Sequence, residues 1–65
     1  MRYEFRIAGA VSEALAEAFP ELARAPVPEQ TLFFGPVTDE AHLLGLLGRF
    51  QSLGLLVIEL QQLPD

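Results

Sequence analysis

His42 is the only imidazole among the 65 residues, and Asp39 precedes it by one helical turn. A carboxylate at that spacing can orient the ring for general-base work near neutral pH. Such work also needs a nucleophile or a partnered acid, and neither stands close to His42 in the sequence. The pattern therefore predicts a surface or capping histidine, with no catalytic residues and no enzymatic activity. A stable metal site needs three or four ligands of the His, Cys or carboxylate type. With no cysteine and one histidine, neither a metal nor a cofactor is expected. Glu13, Glu17 and Glu21 recur every four positions, which on a helix forms a solvated acidic row. Glycine-rich phosphate loops, serine elbows and calcium loops do not occur. Gly45-Leu46-Leu47-Gly48 has the spacing of the GXXG loop that clamps a nucleic-acid backbone. It sits inside an apolar helical pattern without lysine, so close helix packing is the expected purpose of its glycines. Leu43-Leu44-Gly45-Leu46-Leu47 satisfies the L-x-x-L-L groove-binding pattern, and at helical spacing these leucines read as core.

The elements that position these residues follow from periodicity. Tyr3, Phe5 and Ile7 alternate with Arg2, Glu4 and Arg6, which predicts a first strand with one apolar and one charged face. Ser12 can cap a short helix from Glu13 to about Ala18, with Val11, Ala14, Leu15, Ala18 and Phe19 inward and Pro20 as the stop. Leu22 to Val27 reads as a weak edge strand, because proline is tolerated in a sheet only at its border. Thr31-Leu32-Phe33-Phe34, closed by Gly35-Pro36, reads as the third strand. Thr38 or Asp39 caps a second helix with the stripe Leu43, Leu46, Leu47, Phe50 and Leu53, and Gly54 ends it. Leu55 to Gln61 forms the last strand, and residues 61–65 form a tail of the single domain 1–65.

The composition sets limits on partners. A chain of this size buries only about 60% of the surface its unfolded form exposes. Disulfides or a metal normally help, and neither is open to this sequence, which leaves oligomerisation and good packing. The chain is 51% apolar and 20% charged, so it folds and is not disordered. A net charge of −5 with four scattered arginines argues against nucleic acid as a partner. The opening residues lack an export signal, and the apolar runs are far shorter than the roughly 20 residues that span a bilayer. A cytoplasmic location away from the membrane is expected.

The order strand, helix, weak strand, strand, helix, strand predicts an α+β domain of the ferredoxin-like, split βαβ kind (βαββαβ). Its four-stranded antiparallel sheet has the spatial order four, one, three, two, with both helices on one face and the weak Pro-containing strand at an edge. The helix-free face is then expected to carry Phe33, Leu55 and Val57, ringed by Arg2, Glu4, Arg6 and Glu59. An apolar patch with a charged rim marks an interface. These residues are the candidate site, with contacts from arginine to Glu59 at its rim.

Gly35-Pro36-Val37-Thr38-Asp39-Glu40-Ala41-His42-Leu43-Leu44-Gly45-Leu46-Leu47, followed by Leu53-Gly54-Leu55, resembles a group of small uncharacterised bacterial proteins. Their pattern is roughly G-P-V-x-D-Q-A-x-L-H-G-L-L and then L-G-L. The opening Arg2-Tyr3-Glu4 and Gly9 are similar too. Glu40 stands where that pattern has glutamine, and its histidine position is taken by Leu44, so no role for the histidine carries over. The resemblance implies the same fold and no particular activity.

The leading expectation is a homodimeric accessory or regulatory protein that acts through protein–protein interaction, by the sheet face or by pairing of edge strands. The alternative is an ACT-like module that senses a small molecule at its dimer interface, an expectation resting on analogy of fold.

Overall fold

A computed structural model describes residues 1–65. Strand β1 is Arg2–Ala8, helix α1 Glu13–Ala16, strand β2 Ala23–Val27, strand β3 Gln30–Pro36, helix α2 Glu40–Ser52 and strand β4 Val57–Leu63. In β1 the alternation of the sequence becomes a two-sided strand: Phe5 and Ile7 are buried, and Arg2, Glu4 and Arg6 lie on the other side.

Helix α1 begins where Ser12 Oγ accepts the N–H of Leu15 at 3.2 Å. It is shorter than the expected Glu13 to Ala18. Pro20 disfavours helical geometry at Phe19, and the N–H groups of Ala18 and Phe19 bond only three residues back, to Leu15 and Ala16. These tightened turns drive Phe19 into the core. Val11, Ala16 and Ala18 pack beside the core, whereas Ala14, expected inward, is exposed.

Strands β2 and β3 form a hairpin in which Val27 pairs with Gln30, leaving Pro28 and Glu29 as a two-residue loop. Glu29 has φ 62°, the left-handed conformation that a type II turn with proline at its first central position imposes on the second. Helix α2 starts at Asp39, whose Oδ1 accepts the N–H of His42 at 2.9 Å. It ends in a Schellman motif. Gly54, at φ 74°, donates to Gln51 O at 3.0 Å, and Leu55 donates to Phe50 O at 2.9 Å.

The sheet is antiparallel throughout, in the order β2-β3-β1-β4, which read from the β4 border is four, one, three, two. Register settles which apolar side chains face the helices. Phe5 pairs with Phe33 and Ile7 with Thr31, so all four share the covered face. The expected position of Phe33 on the open face is therefore corrected. It is 1% exposed, and Leu32 and Phe34 occupy the open face instead. The three apolar residues Leu32-Phe33-Phe34 give no alternation to choose a face, and the tight hairpin decides for them.

Strand β4 departs from regularity once. Arg6 pairs with Glu59 and Ile7 with Val57, so Ile58 is an extra residue on the β4 side. A bulge of this kind shifts the phase of the side chains that follow it. Val57 turns to the covered face and packs on the core with Leu55, which corrects the expectation that both lie on the open face. Glu59 and Gln61, paired with Arg6 and Glu4, lie on the open face. The strand also runs on to Leu63, paired with Arg2, through residues expected to be tail.

Four phenylalanines hold the layers together. Phe50 of α2 stacks on Phe19 with ring centroids 4.1 Å apart and meets Phe5 at 5.2 Å and Phe33 at 5.3 Å. Burying each such ring contributes about 2–3 kcal/mol, and each ring pair about 1 kcal/mol beyond that. Ile7, Val37 and Leu46 complete the buried apolar set.

Candidate interaction surface

The side chains able to do chemistry are bound up with one another. Asp39 caps α2 and does not orient the ring of His42. The carboxylate beside the ring is Glu21, with Oε2 3.5 Å from Nε2. On its other side, Nδ1 of His42 accepts the backbone N–H of Thr38 at 3.0 Å. That bond places the ring proton on Nε2, facing Glu21. Glu21 Oε1 in turn takes a bond from Arg49 at 3.0 Å, and Arg49 donates to Ala18 O at 2.7 Å and lies over the Phe19 ring at 5.4 Å. The cluster thus ties the turn after α1 to both halves of α2. Burial pushes the Glu21 carboxyl up, while its own backbone N–H, Arg49 and His42 outweigh that and hold it below its ordinary value.

A second arginine is engaged in the same way. Arg24 shares the face of Phe33 in the register and donates to Glu13 Oε1 at 2.6 Å and to Val11 O at 3.3 Å. It helps line an open groove of about 450 Å³ between residues 10–13 and the β2–β3 hairpin, with Glu29, Gln30 and Thr31 opposite.

The two borders of the sheet are unlike. At the β2 border, Pro26 removes a backbone donor from a strand of five residues. At the β4 border there is no proline, and the one charged residue, Glu59, is exposed and accepts from Arg6 at 3.2 Å on the open face. To solvent the strand presents Ile58, 45% exposed, and Leu60, 39%, together with Glu59, Gln61 and Gln62, and Leu56 just before it is 65% exposed. An exposed apolar edge strand is a template for pairing with another chain.

Matches to known sequences fall on this whole frame, since a DUF8691 domain, a domain of unknown function, covers residues 2–61. The chain belongs to the DUF8691 family. No curated protein and no solved structure matches it. The DUF8691 match takes in β1 through α2 whole and most of β4, so both sheet borders are parts of the family domain.

Of the residues expected to form the interface of this DUF8691 protein, the structure brings Arg2, Arg6 and Glu59 together on the open face. The Arg6–Glu59 contact lies within one chain, and Arg6 also donates to Gln30 at 2.8 Å. Phe33, Leu55 and Val57 lie apart from them, in or against the core. The apolar side chains of the open face are Leu32 and Phe34, with Ala23, Ala25 and Val27 of β2 beside them. Sequence reasoning missed Leu56, Ile58 and Leu60 as exposed apolar residues of a border. The signal was present, because the expected strand order already put the fourth strand at the edge opposite the prolines. No helix is long and apolar enough to cross a membrane.

Proposed function

We propose that this DUF8691 protein is a non-enzymatic, homodimeric accessory or regulatory module that works through protein–protein contact, on a ferredoxin-like, split βαβ scaffold. The observation that carries the reading is the unpaired β4 border with the exposed apolar side chains Leu56, Ile58 and Leu60 along it. Exposed apolar side chains beside free backbone donors and acceptors suit strand pairing with a second chain. The scaffold assignment is supported by the strand order and by α1, Phe19 and α2 lying on one face. The non-enzymatic reading draws support from His42, both of whose ring nitrogens face partners inside the chain. In a dimer joined at the β4 border, the open face with Leu32 and Phe34 stays free for a protein partner.

Light scattering on a sizing column tests the reading. The expected mass is twice the chain's 7.2 kDa. A single species at 7.2 kDa across the concentration range overturns it.

The ACT-like alternative, a small-molecule sensor, draws on the groove beside Arg24. That groove adjoins the β2–β3 hairpin, at the border away from β4, so a dimer joined along β4 does not enclose it. A metabolite that raises the thermal midpoint of the wild-type protein but not of an Arg24→Gln variant would favour the sensor.

A further inference from the structure

We infer that His42 is a pH-operated latch: the neutral ring holds the connection between β3 and α2 by accepting the Thr38 N–H, and a proton taken up by the ring releases that connection in favour of Glu21. The latch is independent of the homodimer reading above.

A backbone N–H can donate only to a ring nitrogen that carries no proton, so the 3.0 Å bond from Thr38 to Nδ1 belongs to the neutral imidazole. In the charged imidazolium both nitrogens are donors. A proton on Nδ1 then stands against the Thr38 N–H, donor to donor, and the bond is lost. The charged ring has a partner at hand. Glu21 Oε2 lies 3.5 Å from Nε2, long for a bond to the neutral ring and able to shorten once the ring is a cation. Burial pushes the Glu21 carboxyl up, but its backbone N–H, Arg49 and His42 hold it below its ordinary value, so it meets the imidazolium as a carboxylate. The side chain of His42 is 24% exposed, which lets protons reach it from solvent.

The other charges around the ring are occupied elsewhere. Arg49 donates to the far oxygen of Glu21 at 3.0 Å. Asp39 accepts the backbone N–H of His42 at 2.9 Å, and Glu40 lies in the first turn of α2. The Met1 ammonium, next to the carbonyl that Val37 N–H bonds, faces Asp65 at 3.8 Å.

What the latch holds is short. Val37 is buried in the core and donates to Met1 O at 2.7 Å, and Asp39 caps α2. Thr38 between them is exposed, and its N–H is bonded to the ring alone. Release therefore loosens the entry to α2 while Val37 and the phenylalanine core stay packed.

Nuclear magnetic resonance on nitrogen-15-labelled protein tests the latch. At about pH 8 the wild-type ring is expected to carry its proton on Nε2, with a scalar coupling between bare Nδ1 and the Thr38 amide nitrogen. An imidazole takes up its proton between about pH 8 and about pH 5. Over that span the coupling is expected to vanish and the Thr38 amide shift to follow the titration curve of the ring. His42→Asn is the control, because a carboxamide oxygen can accept in place of Nδ1 and does not titrate. Its Thr38 amide is expected to keep one shift throughout. A ring protonated on Nδ1 at the high-pH end, a Thr38 amide indifferent to the ring, or one that titrates equally in His42→Asn overturns the latch. Where His42→Asn folds poorly, the wild-type tautomer and coupling decide alone.

Discussion

The carboxylate of Glu21 lies between Arg49, at 3.0 Å, and the Nε2 of His42, at 3.5 Å, joining two residues of α2 seven positions apart to the turn that follows α1. Because its pKa is depressed in the folded chain, Glu21 adds stability that is fully present above its unfolded value. The contribution disappears as pH falls through the lower, folded value. Urea midpoints measured from about pH 6 down to about pH 3 should therefore fall less steeply for Glu21→Gln than for the wild type. Equal slopes would show that the cluster is not linked to folding.

Phe50 touches the three other buried rings, so its removal reaches every layer. Phe50→Ala should cost about 3–5 kcal/mol. For a chain of this length, at about 0.05–0.15 kcal/mol of stability per residue, that is enough to leave much of it unfolded at room temperature. Leu44→Ala, at an exposed position on the same helix, should change stability by less than about 0.5 kcal/mol. Circular dichroism melts of the two variants provide the comparison.

Gly45 and Gly48 have no neighbour within 4 Å of the place a Cβ would occupy, which corrects the expectation that they serve close packing of α2 within the chain. Each should gain up to about 1 kcal/mol on change to alanine, through helix propensity and a less disordered unfolded chain. Gly35 is the opposite case. A Cβ there would lie 3.2 Å from Glu21 O and 3.3 Å from Leu22 Cδ2. Gly35→Ala should lose about 1–3 kcal/mol. Chemical denaturation of the three variants should give two gains and one loss.

Glu29 sits at positive φ without being glycine. Left-handed backbone costs an L-residue about 1–2 kcal/mol, of which glycine's extra freedom in the unfolded chain takes back a part. Glu29→Gly should raise the denaturation midpoint by an amount equivalent to about 0.5–1 kcal/mol. A lower midpoint would mean that the side chain itself holds the hairpin.

The parts of this fold that were legible in the sequence are those where one local pattern had one meaning. Tyr3, Phe5 and Ile7 alternate with charges and so declare their face; Pro26 declares a border; Asp39 and Gly54 bracket α2. Legibility failed where apolar residues run on without a break. Leu32-Phe33-Phe34 fits either face, and Leu55-Leu56-Val57-Ile58 hides a bulge that no residue type announces. Phe33, Leu55 and Val57 accordingly lie on the side opposite to the one their pattern suggests. The partner of His42 is hidden for another reason, since Glu21 stands twenty-one positions away and only the packing of the turn after α1 against α2 brings it near.

The difference between the two sheet borders also limits how far assembly along the sheet can go. In the proposed dimer, joining two copies at β4 would use the border without proline and leave Pro26 facing outward at both ends. Under the proposed dimer, growth along the sheet would stop at two, because the Pro26 border lacks a donor that a further strand would need.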